Sequence, residues 1–164
     1  MRVARQMVVM AGLLSVPVAT TMDQKPALRD TGPQADPRLL KLNEYFTSNH
    51  CPLQTASADF LEAADRNDLD WRLLPSISMV ESGGGKAYKN NNVLGWDSCN
   101  RKFRTVRAGI HAVAFRLATS DLYRDKCLDD VLATYNPDPE YVARVKSVMR
   151  DIGSAGSGPQ MGLN

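Results

Sequence analysis

The spacing of apolar residues is the feature that most restricts what this chain can form. Between residues 39 and 152 apolar side chains recur every three or four positions, which is the period of an amphipathic α-helix. The clearest set follows the i, i+3, i+4, i+7 pattern and consists of Ile110, Val113, Ala114 and Leu117. The sequence therefore predicts an all-α domain over residues 37–152.

Capping signals divide this domain into six helices. Asp36-Pro37 and Asp138-Pro139 each place a capping residue before a proline at the first helical position. The first predicted helix starts at Pro37, the second runs from Ser57 to Arg66, and the third runs from Asp70 to about Glu81. The fourth starts near Thr105, the fifth covers Leu128 to Tyr135, and the sixth follows Asp138-Pro139. Pro75 is expected to remove one backbone hydrogen bond from the third helix.

One stretch interrupts the helical pattern. Residues 82–104 are rich in glycine and asparagine, with scattered aromatic residues. They predict a small irregular or β-hairpin lobe inserted after the third helix. A loop of this length inside a compact domain usually has a function.

The two ends of the chain have a different character. In residues 1–21, Arg2 and Arg5 precede an apolar run from Met7 to about Ala19, which is too short to span a bilayer and resembles a signal peptide. The alternative is an uncleaved N-terminal anchor. Residues 22–36 predict a linker and residues 153–164 a flexible tail. We therefore expect a secreted or periplasmic monomer, with no stable membrane insertion after the signal is removed.

Charge and cysteine content exclude some classes of partner. Without Arg2 and Arg5 the 20 basic residues become 18, which equals the 18 acidic residues, so the neutral mature chain is a poor match for nucleic acid. Three cysteines without a CxxC pair, and histidine only at His50 and His111, provide too few ligands for a zinc site. We predict neither a metal nor an organic cofactor. The cysteines are either one disulfide with a thiol left over or simply buried thiols.

Glu81 is the strongest candidate for a chemical role. It follows Trp71, Leu74 and Ser78 along the apolar side of the third helix, in the last turn, where unpaired carbonyl groups disfavour a negative charge. Burial and the helix end should both raise the pKa of the carboxyl group, as a proton donor requires. The alternative is a glutamate that turns to the surface at a frayed helix end.

Four short segments together resemble the bacterial glucosaminidases and their lytic transglycosylase relatives. They are ESGGGK at residues 81–86, NNVLGW at 91–96, ATYN at 133–136 and YVARV at 141–145. The resemblance implies a lysozyme-like helical fold and a glycosidase that cleaves β-1,4 bonds between N-acetylglucosamine and N-acetylmuramic acid in peptidoglycan strands. The enzyme type is either endo-β-N-acetylglucosaminidase or lytic transglycosylase.

Position by position, the resemblance makes Glu81 the general acid and Tyr135 the tyrosine beside it. Asn92 and Gly95 match the turn that shapes the sugar subsites. We also predict Asn91 and Trp96 to bind substrate, although asparagines often simply form turns and Trp96 can instead plug the lobe. Tyr135 can equally be a core tyrosine whose hydroxyl binds the backbone.

Two departures from the family pattern predict a wider cleft. Leu94 replaces the usual phenylalanine, and Gly84 stands where many members have a bulky aromatic residue. Both changes are expected to remove stacking surface.

The second carboxylate of ordinary glycoside hydrolysis has no clear position. Asp97 is the nearest candidate, with Asp121 and Asp138 as alternatives, and Asp138 is better explained as a helix cap. A substrate-assisted reaction, in which the sugar's N-acetyl or 6-hydroxyl group attacks, needs no second carboxylate. A catalytically inactive module for glycan binding or envelope assembly is the alternative from a different functional class.

Overall fold

The structure is a computed structural model that describes residues 36–156, and in this range the chain is helical without any β-strand. The six helices are α1 (Pro37–Ser48), α2 (Ser57–Asp65), α3 (Leu73–Ser82), α4 (Val106–Thr119), α5 (Leu128–Tyr135) and α6 (Tyr141–Ser154). Short 3-10 turns cover Pro52–Ala56 and Trp96–Cys99. The all-α prediction is confirmed. The predicted signal peptide, the linker up to residue 35 and residues 157–164 of the tail lie outside the described residues.

Two of the helix starts use side-chain caps. A carboxylate oxygen of Asp36 accepts a hydrogen bond from the Arg38 backbone N–H at 2.8 Å, and Pro37 follows as the first helical residue. Thr105 caps α4 in the same way, since its hydroxyl accepts from the Ala108 N–H at 3.1 Å. Each cap binds an N–H group that has no partner within its own helix.

The start of α3 differs from the prediction. The helix begins at Leu73, because the Asp70 carboxylate binds the Arg72 N–H at 2.9 Å in a turn that precedes the helix. Pro75 is then the third helical residue, where the backbone N–H has no acceptor within the helix. The expected loss of a backbone hydrogen bond was therefore wrong.

The last helix also differs slightly at both ends. Asp138 accepts from the Glu140 N–H at 2.9 Å and closes a turn, after which α6 begins at Tyr141. The helix continues to Ser154, two residues beyond the predicted end of the domain. Asp138 thus acts as a local cap, as its position before Pro139 predicted.

The core forms where the helices pack on α3 and on one another. The contacting pairs include α3 with α6, α2 with α4, α1 with α2 and α6, and α5 with α6. The largest fully buried side chains come from all six helices and from the loop after α3: Leu42, Phe46, Phe60, Leu74, Ile77, Val93, Leu94, Ile110, Val113, Leu132, Tyr141 and Ile152. Across residues 36–156, every helix is too short or too polar to cross a membrane.

The three cysteines all fall within the described residues, and none forms a disulfide. Cys51 is buried, Cys99 is half-buried and Cys127 is exposed. Of the two alternatives, the structure has free thiols, of which only Cys51 belongs to the core.

Candidate functional site

A glycine turn fixes the end of α3 directly after Glu81. Gly83, Gly84 and Gly85 all have positive φ angles (60°, 68° and 88°), which glycine adopts without steric cost. The buried Ser82 hydroxyl donates to the Ser78 carbonyl at 2.8 Å and accepts from the Gly85 N–H at 3.1 Å. The ESGGG segment therefore ends the helix sharply and leaves Glu81 as its penultimate residue.

Glu81 opens onto a cleft of about 570 Å³. This volume lies within the usual range of pockets that bind small organic ligands. The cleft is bounded by the end of α3, the loop after it, α4, and the residues around the end of α5. Its lining includes Glu81, Gly95, Trp96, Asp97, Ser98, Arg101, Phe103, Val113, Arg116, Tyr123, Tyr135 and Asn136.

The Glu81 carboxyl group is half-buried, and its pKa is raised above the ordinary value of 4.5. Burial is the main cause, because it disfavours the charged form. The Tyr141 hydroxyl, the Asn136 side chain and the Arg144 charge act in the opposite direction and lower the pKa, but burial outweighs them. The raised pKa agrees with the sequence-based expectation.

The Tyr141 hydroxyl is a buried polar neighbour of this carboxyl group. It has no hydrogen bond of standard geometry within residues 36–156. Burial and the nearby Glu81 charge both raise the pKa of Tyr141, so the phenol stays protonated and can donate. A protonated donor beside a half-buried carboxyl group can hold that group in position during proton transfer.

Gly95 forms the wall against which the Glu81 carboxyl group rests. A Cβ atom added at Gly95 would lie 2.2 Å from Glu81 Oε2 and 2.6 Å from its Cδ. The Gly95 φ angle of 70° also favours glycine. Only glycine allows the backbone to approach the acid this closely, so the structure gives the predicted Gly95 a specific role.

The asparagines predicted to bind substrate instead hold the loop together. Asn92 is buried, donating to the carbonyls of Trp96 (2.8 Å) and Arg101 (3.1 Å) and accepting from the Trp96 N–H at 2.9 Å. Asn91 donates to the Phe103 carbonyl at 3.0 Å. Neither Asn91 nor Asn92 lines the cleft. The turn-forming alternative therefore describes both residues. They stabilise the loop that borders the cleft and do not line the cleft themselves.

The loop over the cleft contains unusual backbone conformations. Asp97, Ser98 and Cys99 have φ angles of 54°, 50° and 62°, in the left-handed region that side chains other than glycine rarely adopt. Such strain persists only when surrounding contacts hold it, and it is concentrated at functional sites. Here Asp97 and Ser98 are part of the cleft lining.

Aromatic rings form one side of the cleft. Trp96 packs edge-on against Tyr135 with ring centroids 5.6 Å apart, and it lies 5.9 Å from the Tyr123 ring. Trp96 therefore both lines the cleft and packs against the hydrophobic core. The Tyr135 hydroxyl donates to the Leu94 carbonyl, which is the backbone-bound alternative for this residue. Its ring stacks on Tyr141 at 6.1 Å, so Tyr135 supports the phenol beside Glu81.

The three candidates for a second carboxylate occupy different surroundings. Asp97 is exposed and lines the cleft with Glu81. Asp138 pairs with Arg144 at 2.6 Å, and Asp121 pairs with Arg124 at 2.9 Å, and neither lines the cleft. Among the described residues, Glu81 and Asp97 are thus the carboxyl groups of this cleft.

The two departures from the family pattern lie away from the cleft surface. The Leu94 side chain is buried in the core. Gly84 packs against the loop that follows α1, where a Cβ atom would lie 2.5 Å from Cys51 Sγ and 2.8 Å from Met79 Sδ. The expectation that both changes remove stacking surface from the cleft was therefore wrong.

A separate group of ligand-type side chains lies on α2 and α4. Single ligand atoms of Asp59, Glu62 and His111 lie within 4.8 Å of one another. The Arg107 guanidinium bonds to both carboxylates, with a 2.6 Å contact to Glu62. Arg66 also pairs with Glu62 at 2.6 Å, so two arginines balance the two carboxylates, and we interpret the group as a contact that holds α2 against α4.

The sequence did not reveal the role of several residues around Glu81. Tyr141, which acts on the Glu81 carboxyl group, and the cleft residue Asn136 were noted only within family-like segments. The cleft residues Tyr123, Arg101 and Arg116 were not singled out. The conspicuous signal for the arginines is that residues 98–120 contain five basic and no acidic residues.

Comparisons with protein-family models, curated proteins and solved structures find no match for this chain.

Proposed function

We propose that the protein is an exported glycosidase that cleaves the β-1,4 bonds between N-acetylglucosamine and N-acetylmuramic acid in peptidoglycan, with Glu81 as the general acid. The observation that carries the proposal is the half-buried carboxyl group of Glu81, which has a raised pKa and faces a 570 Å³ cleft. A general acid needs a carboxyl group whose pKa is raised, and burial raises the pKa of Glu81.

The residues around Glu81 have complementary tasks in this reaction. Glu81 donates its proton to the glycosidic oxygen as the bond to the leaving sugar breaks. Tyr141 and Asn136 stabilise the resulting carboxylate, since both already favour its charged form. Gly95 keeps the acid in place by direct contact. Trp96 offers part of an aromatic face on which a sugar ring can stack.

Two routes complete the reaction. In the first, Asp97 serves as the second carboxylate, either by activating a water or by attacking the sugar. In the second, the N-acetyl or 6-hydroxyl group of the sugar attacks, and Glu81 then acts as the base. The second route through the 6-hydroxyl group gives an anhydro product and leaves Asp97 dispensable.

Digestion of purified sacculi tests the proposal. The wild-type protein is expected to release soluble muropeptides, and Glu81→Gln is expected to release none while remaining folded. Glu140→Gln removes an exposed carboxyl group outside the cleft and is the matched control. Mass spectrometry of the product ends identifies attack by the 6-hydroxyl group through its anhydro ends, whereas reducing ends indicate hydrolysis. Muropeptide release by Glu81→Gln at the wild-type rate contradicts the proposed acid.

The second candidate is a glycan-binding or envelope-assembly module without turnover. The exposed position of Asp97 favours this reading, because a carboxylate open to solvent is not held for catalysis by its surroundings. This candidate predicts that wild-type protein and Glu81→Gln sediment equally with sacculi and that neither releases fragments at any dose.

A further inference from the structure

We propose that Arg101 and Arg116 form a carboxylate-binding subsite that selects glycan strands with anionic groups over neutral strands. The inference rests on the proposed function and adds a determinant of specificity to the same cleft. Arg101 belongs to the loop after α3, and Arg116 belongs to α4. Both line the cleft with Glu81, and both are exposed.

Within residues 36–156 neither guanidinium group takes part in an ion pair or a side-chain hydrogen bond, although most arginines of the domain do. The paired arginines are Arg38, Arg66, Arg72, Arg107, Arg124 and Arg144. Arg101 and Arg116 therefore present their donors to the cleft without an internal acceptor. Asp97 lines the same cleft, yet it is not within ion-pair distance of either group.

The surrounding charge supports the same conclusion. Residues 36–156 as a whole are balanced, with 16 basic and 16 acidic residues. The segment 98–120, which contributes both arginines and much of the cleft wall, has five basic and no acidic residues. Of these five basic residues, Arg101 and Arg116 line the cleft, and a cleft concentrates the potential of the charges that line it.

Guanidinium groups match carboxylates in shape and charge. Their planar N–H donors can bind both oxygens of a carboxylate at once, with charge-assisted hydrogen bonds. Peptidoglycan provides two sources of this group, namely the carboxylates of the stem peptides and the lactyl carboxylate of muramic acid after peptide removal. A polymer of N-acetylglucosamine alone has neither.

The experiment compares Arg101→Gln/Arg116→Gln with Lys102→Gln/Arg104→Gln. The control removes the same charge from exposed residues of the same segment that do not line the cleft. Three substrates are used: peptide-bearing strands, peptide-free strands with lactyl carboxylates, and β-1,4-linked N-acetylglucosamine oligomers. KM is measured for each, and binding is measured by sedimentation in a Glu81→Gln background, which does not depend on turnover.

The cleft variant is expected to raise KM and the dissociation constant for the anionic strands about tenfold. One exposed ion pair changes affinity by up to about fivefold, and the variant removes two such pairs. Values for neutral oligomers should stay unchanged, and added salt should reduce the preference of the wild type. Loss confined to peptide-bearing strands identifies the stem-peptide carboxylates, and loss confined to peptide-free strands identifies the lactyl carboxylate. Loss on both anionic strands means that the subsite accepts either carboxylate.

Equal preference for anionic strands in the wild type and the cleft variant overturns the subsite. If the wild type also cleaves those strands, the proposed function survives this failure. If the wild type binds anionic strands through the arginines without cleaving them, the subsite stands and the glycosidase does not. Absence of both binding and cleavage overturns both proposals.

Discussion

Replacing Gly95 with alanine is expected to displace the Glu81 carboxyl group while leaving the fold intact. The added Cβ would lie 2.2 Å from Glu81 Oε2, whereas ordinary contact begins at 3.4 Å, so the carboxyl group must retreat by about 1.2 Å. The overlapping atoms belong to the far end of a flexible side chain. The clash is therefore relieved by rotation of Glu81, and the main effect is on the position of the acid.

Gly83→Ala is the matched control for this change. Gly83 also has a left-handed backbone (φ 60°), but its added Cβ makes only ordinary contacts, the closest at 3.6 Å to Lys86. Both variants should lose about 1–2 kcal/mol of unfolding free energy through the left-handed conformation. A displacement of about 1 Å at a reacting group reduces the rate by about 100-fold, and only Gly95→Ala should show this loss.

Two measurements separate these effects. Urea unfolding followed by tryptophan fluorescence gives the stability of both variants, and initial rates of muropeptide release from sacculi give their activity. Equal activity of Gly95→Ala and Gly83→Ala at equal stability would refute the contact between Gly95 and the acid as a functional constraint.

Three further predictions concern groups around the cleft. Glu81→Gln should have the same unfolding free energy in urea as the wild type at pH values below 4.5, the ordinary glutamate pKa, and should be the more stable protein at pH 7. The reason is that a carboxyl group whose pKa is raised in the folded state costs the protein stability as the pH rises through that pKa. A stability difference between the two proteins that does not change with pH argues against burial of Glu81. Tyr141→Phe should raise the pKa of Glu81 further in a carboxyl NMR titration, because the hydroxyl lowers it, and an unchanged pKa contradicts their proximity. Asn92→Ala should lower the unfolding free energy by about 2–3 kcal/mol, because it removes three hydrogen bonds. The control Asn100→Ala changes an exposed residue and should leave the unfolding free energy unchanged. Equal stability of the two variants contradicts the role of Asn92 in the loop.

The helices were predictable because their signals are local. Apolar spacing located the buried side of α4, where Ile110, Val113, Ala114 and Leu117 are all buried. The start of α3 was placed three residues early because Asp70 caps a turn just as well as it caps a helix. Residue type alone cannot separate these two uses of one carboxylate.

The cleft was predictable only in part because it is built by long-range packing. Glu81 was predicted from its position at a helix end together with the family-like segment that begins at this residue. Arg116 and Tyr141 reach the same site only because α4 and α6 fold back to it, and no local pattern records that approach. Asn92 was assigned to the substrate because the sequence cannot show whether an amide faces the cleft or the backbone of its own loop.

The account depends on a Glu81 carboxyl group that keeps its proton above the pH at which exposed glutamates lose it. A pH titration of the Glu81 side-chain carbon by NMR measures this property directly. We predict a midpoint for Glu81 clearly above 4.5. A midpoint at or below that value would mean that the carboxylate is already charged near neutral pH and cannot be the acid.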